Sequence, residues 1–157
     1  MPAKNENVSD IIDLLIEAYN GEIETVMNYL AGSVNLEGVR AEEIKGSLAR
    51  DITEELGHAQ QLANRIRTLG GVVPGSQALK WTQASLQPPK DSTDVPTVIK
   101  GVIDAEDGAI DIYTRIIKTC DGQDYVTQDL AITILSDEEE HRRTFVGYLK
   151  EYEKTGR

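Results

Sequence analysis

Four stretches of this chain repeat apolar side chains at steps of three and four for about 25 to 30 residues each, the period of an α-helix with one face in a core. Helix A is predicted over about residues 9–33, with Ile11, Leu15, Ala18, Val26 and Tyr29 on its stripe; helix B covers about 40–69, with Ile44, Leu48, Ile52, Ala59, Leu62 and Ile66. Val98, Val102, Ala109, Tyr113 and Ile116 mark helix C at about 95–120, and Leu130, Ile134, Phe145, Tyr148 and Tyr152 mark helix D at about 124–153. Ser9 and Asp94 stand where N-caps belong, Pro96 suits a first turn, and Gly70 with Gly71 supplies a C-terminal stop. Residues 70–94 contain Pro74, Gly75, Pro88 and Pro89 and cannot continue a helix, although 76–86 has room for a short one. Short A–B and C–D links make two antiparallel hairpins, and the long B–C crossover can run the length of the bundle. The predicted fold is an all-α four-helix bundle, one domain over residues 1–157.

Each apolar stripe is interrupted by one glutamate: Glu22, Glu55, Glu106 and Glu138. A carboxylate in a core is costly unless it is paired or holds a cation. The chain has only two histidines, His58 and His141, and each follows one of these glutamates by three residues. With 15 Glu in 157 positions, one such E-x-x-H is about a one-in-ten coincidence and two are roughly one in a hundred. Positions i and i+3 share a helix face, so each pair aims a carboxylate and an imidazole at one region of the interior. Glu22 and Glu55 lie 33 residues apart, and Glu106 and Glu138 lie 32 apart, so the hairpins read as near-repeats around a pseudo-twofold centre. Four Glu and two His make a ligand set for two metal ions. Oxygen-rich donors with few imidazoles favour iron, with manganese as second choice. Glu54, four residues before His58, and Asp137, four before His141, are placed to accept the other ring N–H of the histidine on their own helix. Tyr29 follows Glu22 by two turns, where its phenol can supply an electron or simply fill the core.

The formal charge of −11 disfavours direct binding to DNA or to an anionic membrane, because both need clustered Lys and Arg. No run of 18 uncharged apolar residues exists to cross a bilayer, and Lys4, Asn5, Glu6 and Asn7 occupy the place where a leader would need an apolar stretch. Cys120 is alone, which excludes an intrachain disulfide and a cysteine-based zinc site and points to the reducing cytoplasm; it reads as an ordinary thiol. Trp81 reads as an anchor for the crossover or as a subunit contact.

Asn20-Gly21-Glu22 with Tyr29 seven residues on, Glu55-Leu56-Gly57-His58-Ala59, Ala105-Glu106-Asp107-Gly108-Ala109 and Asp137-Glu138-Glu139-Glu140-His141 resemble segments of the ferritin-like superfamily, in its bacterioferritin and Dps-like mini-ferritin branches. The likeness covers nearly the whole chain. It implies a ferroxidase centre with two iron ions per subunit, at which Fe(II) is oxidised by hydrogen peroxide or dioxygen. Fe(III) is then stored in a hollow homo-oligomeric shell that protects against oxidative stress. Bacterioferritins place a haem-ligating Met after the helix B glutamate, where this chain has Leu56, so no haem is expected. The chain stops 16 residues after His141, without room for the fifth helix of 24-subunit shells, which favours a 12-mer. Typical Dps proteins use a helix A histidine that is missing here. The sequence therefore resembles the Dps-like group that combines a bacterioferritin-type site with a mini-ferritin outline, without the cysteine pair common in that group. Alignment on Asp-Gly-Ala sets Ala105 against the family's helix C glutamate, whereas the apolar stripe favours Glu106. The same donors also suit a di-metal peroxidase or a di-manganese catalase without storage.

Overall fold

The computed structural model describes residues 6–155, so the expectations for Lys4, Asn5 and the last two residues lie outside it. Four long helices follow one another: α1 (Glu6–Asn35), α2 (Glu42–Thr68), α3 (Val95–Cys120) and α4 (Tyr125–Thr155). The described residues contain no strand. α1 packs along α2 and α3 along α4, and the hairpins meet through α1 and α3. Across the α2–α4 side the bundle is closed by long side chains: Arg65 donates to Asp124 at 3.0 Å and to Thr127 Oγ1 at 2.8 Å. Among the described residues no helix is long and apolar enough to cross a membrane.

The helix ends follow from local chemistry. Asp94 accepts from the Thr97 backbone N–H at 3.3 Å and caps α3, with Pro96 in the first turn. Asp124 does the same for α4, accepting from the Thr127 N–H at 3.0 Å. α2 closes with Gly70 at φ +92°, a conformation open to glycine, and a Gly71 N–H bond to the Ile66 carbonyl at 2.9 Å. At the start of α1 the structure differs from expectation. The helix already runs from residue 6, so Ser9 lies inside it rather than capping it. Asn7 accounts for the extra turn, donating to the Thr119 carbonyl at the far end of α3 at 3.2 Å.

The crossover also differs. Residues 76–86 form no α-helix, only the 3-10 turn Ser76–Ala78, because α1 side chains take up the backbone groups a helix would pair. Asn20 exchanges two 2.7 Å bonds with the Lys80 backbone. Glu24, a buried carboxylate, accepts the Thr82 N–H at 2.9 Å and the Gln83 N–H at 2.8 Å. Gly101 of α3 permits the close approach of this strap, since a Cβ there would stand 2.4 Å from the Ser85 carbonyl oxygen. Trp81 is half exposed, so Glu24 and buried Leu86 anchor the strap instead. Glu24→Ala is expected to cost about 2–3 kcal/mol, because two backbone donors lose a charged acceptor, and Glu24→Gln about half of that. Urea denaturation followed by circular dichroism measures both.

The bundle core falls into two apolar clusters. One gathers Tyr29, Leu48, Val98, Val102 and Phe145 toward one end. The other gathers Leu15, Leu62, Ile66, Tyr113 and Ile134 toward the opposite end. Between them lies a polar layer.

Candidate metal centre

The layer consists of Glu22 on α1, Glu55 and His58 on α2, Glu106 on α3, and Glu138 and His141 on α4, all buried. Helical spacing puts them there, since each replaces an apolar residue on the stripe that faces the bundle axis. Ala105 is turned toward one of the apolar clusters, which leaves Glu106 as the α3 carboxylate in the layer.

One donor atom from each of Glu22, Glu55, His58 and Glu138 lies within 4.8 Å of the others, and the same holds for Glu55, Glu106, Glu138 and His141. Glu55 and Glu138 belong to both groups. Glu22 with His58, and Glu106 with His141, belong to one each. The arrangement is therefore two half-sites that share a central pair of carboxylates.

The donors fit a pair of cations better than they fit each other. Seven atoms in the layer are buried without a hydrogen-bond partner: Glu22 Oε2, both Glu55 oxygens, His58 Nδ1, Glu106 Oε2, Glu138 Oε1 and His141 Nδ1. Buried polar atoms are rarely left so. His58 Nδ1 stands 3.0 Å from Glu138 Oε1, and His141 Nδ1 stands 3.0 Å from Glu55 Oε1, within ion-pair distance but without hydrogen-bond alignment. Donors that crowd a common point without aiming at one another have the arrangement of ligands.

The supporting bonds cross between helices. His58 Nε2 lies 3.0 Å from Asp137 Oδ2 on α4, and His141 Nε2 lies 2.8 Å from Glu54 Oε2 on α2. Glu54 and Asp137 thus serve the histidine of the opposite helix, which corrects the same-helix pairing expected from i,i+4 spacing. With Nδ1 turned to the bundle axis, Nε2 extends away from its own helix and meets the neighbouring one. The tyrosines cross in the same sense: Tyr29 donates to Glu106 Oε1 at 2.8 Å and Tyr113 to Glu22 Oε1 at 2.5 Å. Tyr113 was missed as a site residue in the sequence. Its signal was present, because Tyr113 follows Glu106 by seven residues as Tyr29 follows Glu22.

Electrostatics in the metal-free layer is governed by excess negative charge. Burial, reinforced by the Glu55 charge, pushes the Glu22 carboxyl well up; burial and the Glu22 charge do the same to Glu138. Burial also acts to raise Glu55, but Glu22, His141 and His58 outweigh it and hold it low. Burial works against a charged imidazole, yet the surrounding carboxylates raise His58 far above its ordinary value and His141 to about 12. Burial and the Glu106 charge keep Tyr29 a neutral phenol, as burial and Glu22 keep Tyr113. Outside the layer, Leu56 is half exposed on α2, and burial lifts the Cys120 thiol to about 11.

The sequence model of the family described as Ferritin-like domain matches residues 12–155. The chain is 31% identical over 142 residues to the DNA protection during starvation protein of Pyrococcus furiosus, covering 88% of this chain and 76% of that protein. Among solved structures it superposes on a dodecameric thioferritin, the bacterioferritin-related protein of Bacteroides fragilis, with a TM-score of 0.85 and 29% identity over 95% of this chain and 89% of that one. The bacterioferritin of Desulfovibrio desulfuricans, solved with its diiron site in different catalytic states, has the same fold at TM-score 0.84 and 22% identity, over 99% of this chain and 87% of that one.

Proposed function

The chain belongs to the ferritin-like domain family, and from that membership we propose that it is a non-haem di-iron ferroxidase and iron-storing mini-ferritin. The observation that carries this reading is the buried layer of six side chains with seven unpartnered donor atoms. Glu55 and Glu138 would bridge two ions, Glu22 with His58 would complete one half-site, and Glu106 with His141 the other. Iron bound there supplies the redox couple: one hydrogen peroxide takes an electron from each of two Fe(II) and, with two protons, leaves as two waters.

The chain's own groups prepare the site. Asp137 and Glu54 are placed to accept the Nε2 protons, so that an imidazole that has given up its Nδ1 proton turns the Nδ1 lone pair inward. Tyr113 and Tyr29 each hold one oxygen of Glu22 and Glu106 and leave the second oxygen for an ion. The Tyr29 phenol is also the group placed to supply an electron. The apolar clusters on either side limit water in the layer and strengthen each charge interaction within it.

Storage and assembly as a 12-mer in the cytoplasm complete the reading. Its supports are the dodecameric thioferritin, the protection protein of Pyrococcus furiosus and the chain's −11 charge, which disfavours direct contact with DNA. Anaerobic Fe(II) titration followed by peroxide or dioxygen, with native mass before and after, tests it. The expected result is two rapidly oxidised irons per chain, then many more retained in a shell of twelve. A dimer that never holds more than two metals per chain and disproportionates peroxide would instead establish a di-metal peroxidase or catalase.

A further inference from the structure

The two halves of the polar layer are related by a pseudo-twofold, and one residue breaks it. Glu54 and Asp137 hold equivalent positions, each directly before the glutamate of an E-x-x-H pair. Four residues before Glu55, however, stands Asp51, whereas four before Glu138 stands Ile134. Ile134 is fully buried, in the apolar cluster that contains Leu15 and Tyr113. The difference continues one turn further along, where buried Ser47 accepts from the Tyr148 hydroxyl at 3.4 Å and α4 has Leu130 in the matching place.

Asp51 thus has no counterpart, and it serves one histidine. Its Oδ1 lies 3.9 Å from His141 Nε2, beside Glu54 Oε2 at 2.8 Å. His58 Nε2 has one carboxylate within 4 Å among the described residues, Asp137 Oδ2 at 3.0 Å. Glu54 is grouped within 4.8 Å of His58 and Asp137 as well, so it is common to both sides and Asp51 is what distinguishes them. Of the three acids Asp51 is the least exposed, its side chain at 17% against 42% for Glu54 and 40% for Asp137. It has no hydrogen bond and no other ion pair among the described residues. A carboxylate shielded from water and not neutralised by a base acts strongly on a cation bound at the far side of the imidazole.

We infer that the two half-sites are unequal: the one formed by Glu106 and His141 takes a divalent cation first, and Asp51 is the residue that makes it the tighter. Asp51 is a positioning residue that acts through His141, adding its charge to that of Glu54 behind the ring so that Nδ1 becomes the stronger donor. The inference rests on the di-metal reading above and adds an order of filling, with the residue that sets it, which that reading does not contain.

Anomalous diffraction at the cobalt edge, from crystals of the full-length protein given one Co(II) per chain at pH 7.5, reads the order without any turnover. An affinity difference of about tenfold, the low end for an outer partner of a metal-bound histidine, places about three times as much cobalt beside Glu106 and His141 as beside Glu22 and His58. Equal peaks, or a larger peak beside Glu22 and His58, overturn the inference. Asp51→Asn keeps the shape of the side chain and removes its charge. It is expected to bring the two peaks close to equality and, in titration calorimetry, to weaken the first of two Co(II) steps about tenfold while leaving the second within about twofold. A first step that Asp51→Asn leaves unchanged, or two steps weakened alike, overturns the role of Asp51. The metal-free variant is expected to melt no lower than the parent, because one acid is removed from a layer with excess negative charge. A lower melting temperature with an unmoved cobalt ratio would make Asp51 a packing residue and overturn the inference. Should the asparagine prevent folding, Asp51→Ser is read in the same way. No cobalt in the layer of the parent refutes the metal centre, and this inference with it, whereas cobalt spread equally over both half-sites refutes the order alone.

Discussion

Glu138→Ala is expected to abolish binding of both metal ions, whereas Glu22→Ala should abolish only one. The difference follows from the sharing of the central carboxylates: Glu138 and Glu55 lie within reach of both half-sites, while Glu22 stands with His58 alone and Glu106 with His141 alone. Loss of a bridging carboxylate also leaves each histidine without the oxygen 3.0 Å from its Nδ1. Fe(II) oxidation should therefore fall beyond the roughly 10–100-fold typical of removing an outer hydrogen-bond partner of a metal-bound histidine. Glu54→Ala belongs at that smaller level. Because Glu54 supports His141, its loss should weaken the half-site of Glu106 and spare that of Glu22. Isothermal titration with Co(II) counts the sites, and oxidation followed by iron absorbance gives the rates. Equal effects of Glu22→Ala and Glu138→Ala would remove the bridging role.

That crossed support marks the limit of what the sequence discloses. The four helices are legible because a 3.6-residue apolar period leaves little freedom, and the polar layer is legible because four glutamates break that period at matching heights. Which carboxylate serves which histidine is a property of neighbouring helices. The i,i+4 rule sees only one helix, so it pairs Glu54 with His58, while the folded bundle pairs it with His141. Glu24 is hidden for a related reason. It lies off the core-facing stripe of α1, and the strap that packs across it creates its burial. The short helix anticipated in the crossover fails because Asn20 and Glu24 supply the partners that helical bonds would have supplied. Tyr113 was accessible to the same spacing argument as Tyr29.

The second large effect concerns stability and pH. Without metal, the layer confines four carboxylates and two imidazoles in the core. Saturating both half-sites at about a thousandfold above Kd adds about 4 kcal/mol per site, and at about 2–4 °C per kcal/mol for a chain of this size the melting temperature should rise by more than about 10 °C. The sign of the pH dependence follows from the shifted groups. Glu22 and Glu138 are raised above their ordinary 4.5, so the metal-free fold holds protons that the unfolded chain has lost and weakens as pH rises above that value. The histidines act in the same direction. Their stabilisation is complete below 6.5 and is lost as pH climbs toward their raised values, about 12 for His141. Glu55 is lowered and has the opposite sign, but its contribution is complete above 4.5 and is lost only in strong acid. Between pH 5 and 9 the metal-free protein should therefore lose stability as pH rises. Metal binding displaces the same protons and strengthens over that range. The gap in melting temperature between loaded and metal-free protein is expected to widen with pH; scanning calorimetry at pH 5.5 and 8 measures it. A gap that narrows would mean that the imidazoles and carboxylates of the layer are not the ligands.

The central claim is that these six side chains hold two metal ions. Anomalous diffraction at the iron edge, from crystals loaded with Fe(II) under anaerobic conditions, tests it most directly. The account predicts two peaks about 3.5–4 Å apart, as in other two-metal sites, both touching Glu55 and Glu138, one beside Glu22 and His58 and the other beside Glu106 and His141. A single peak, or peaks only outside the layer, would contradict it.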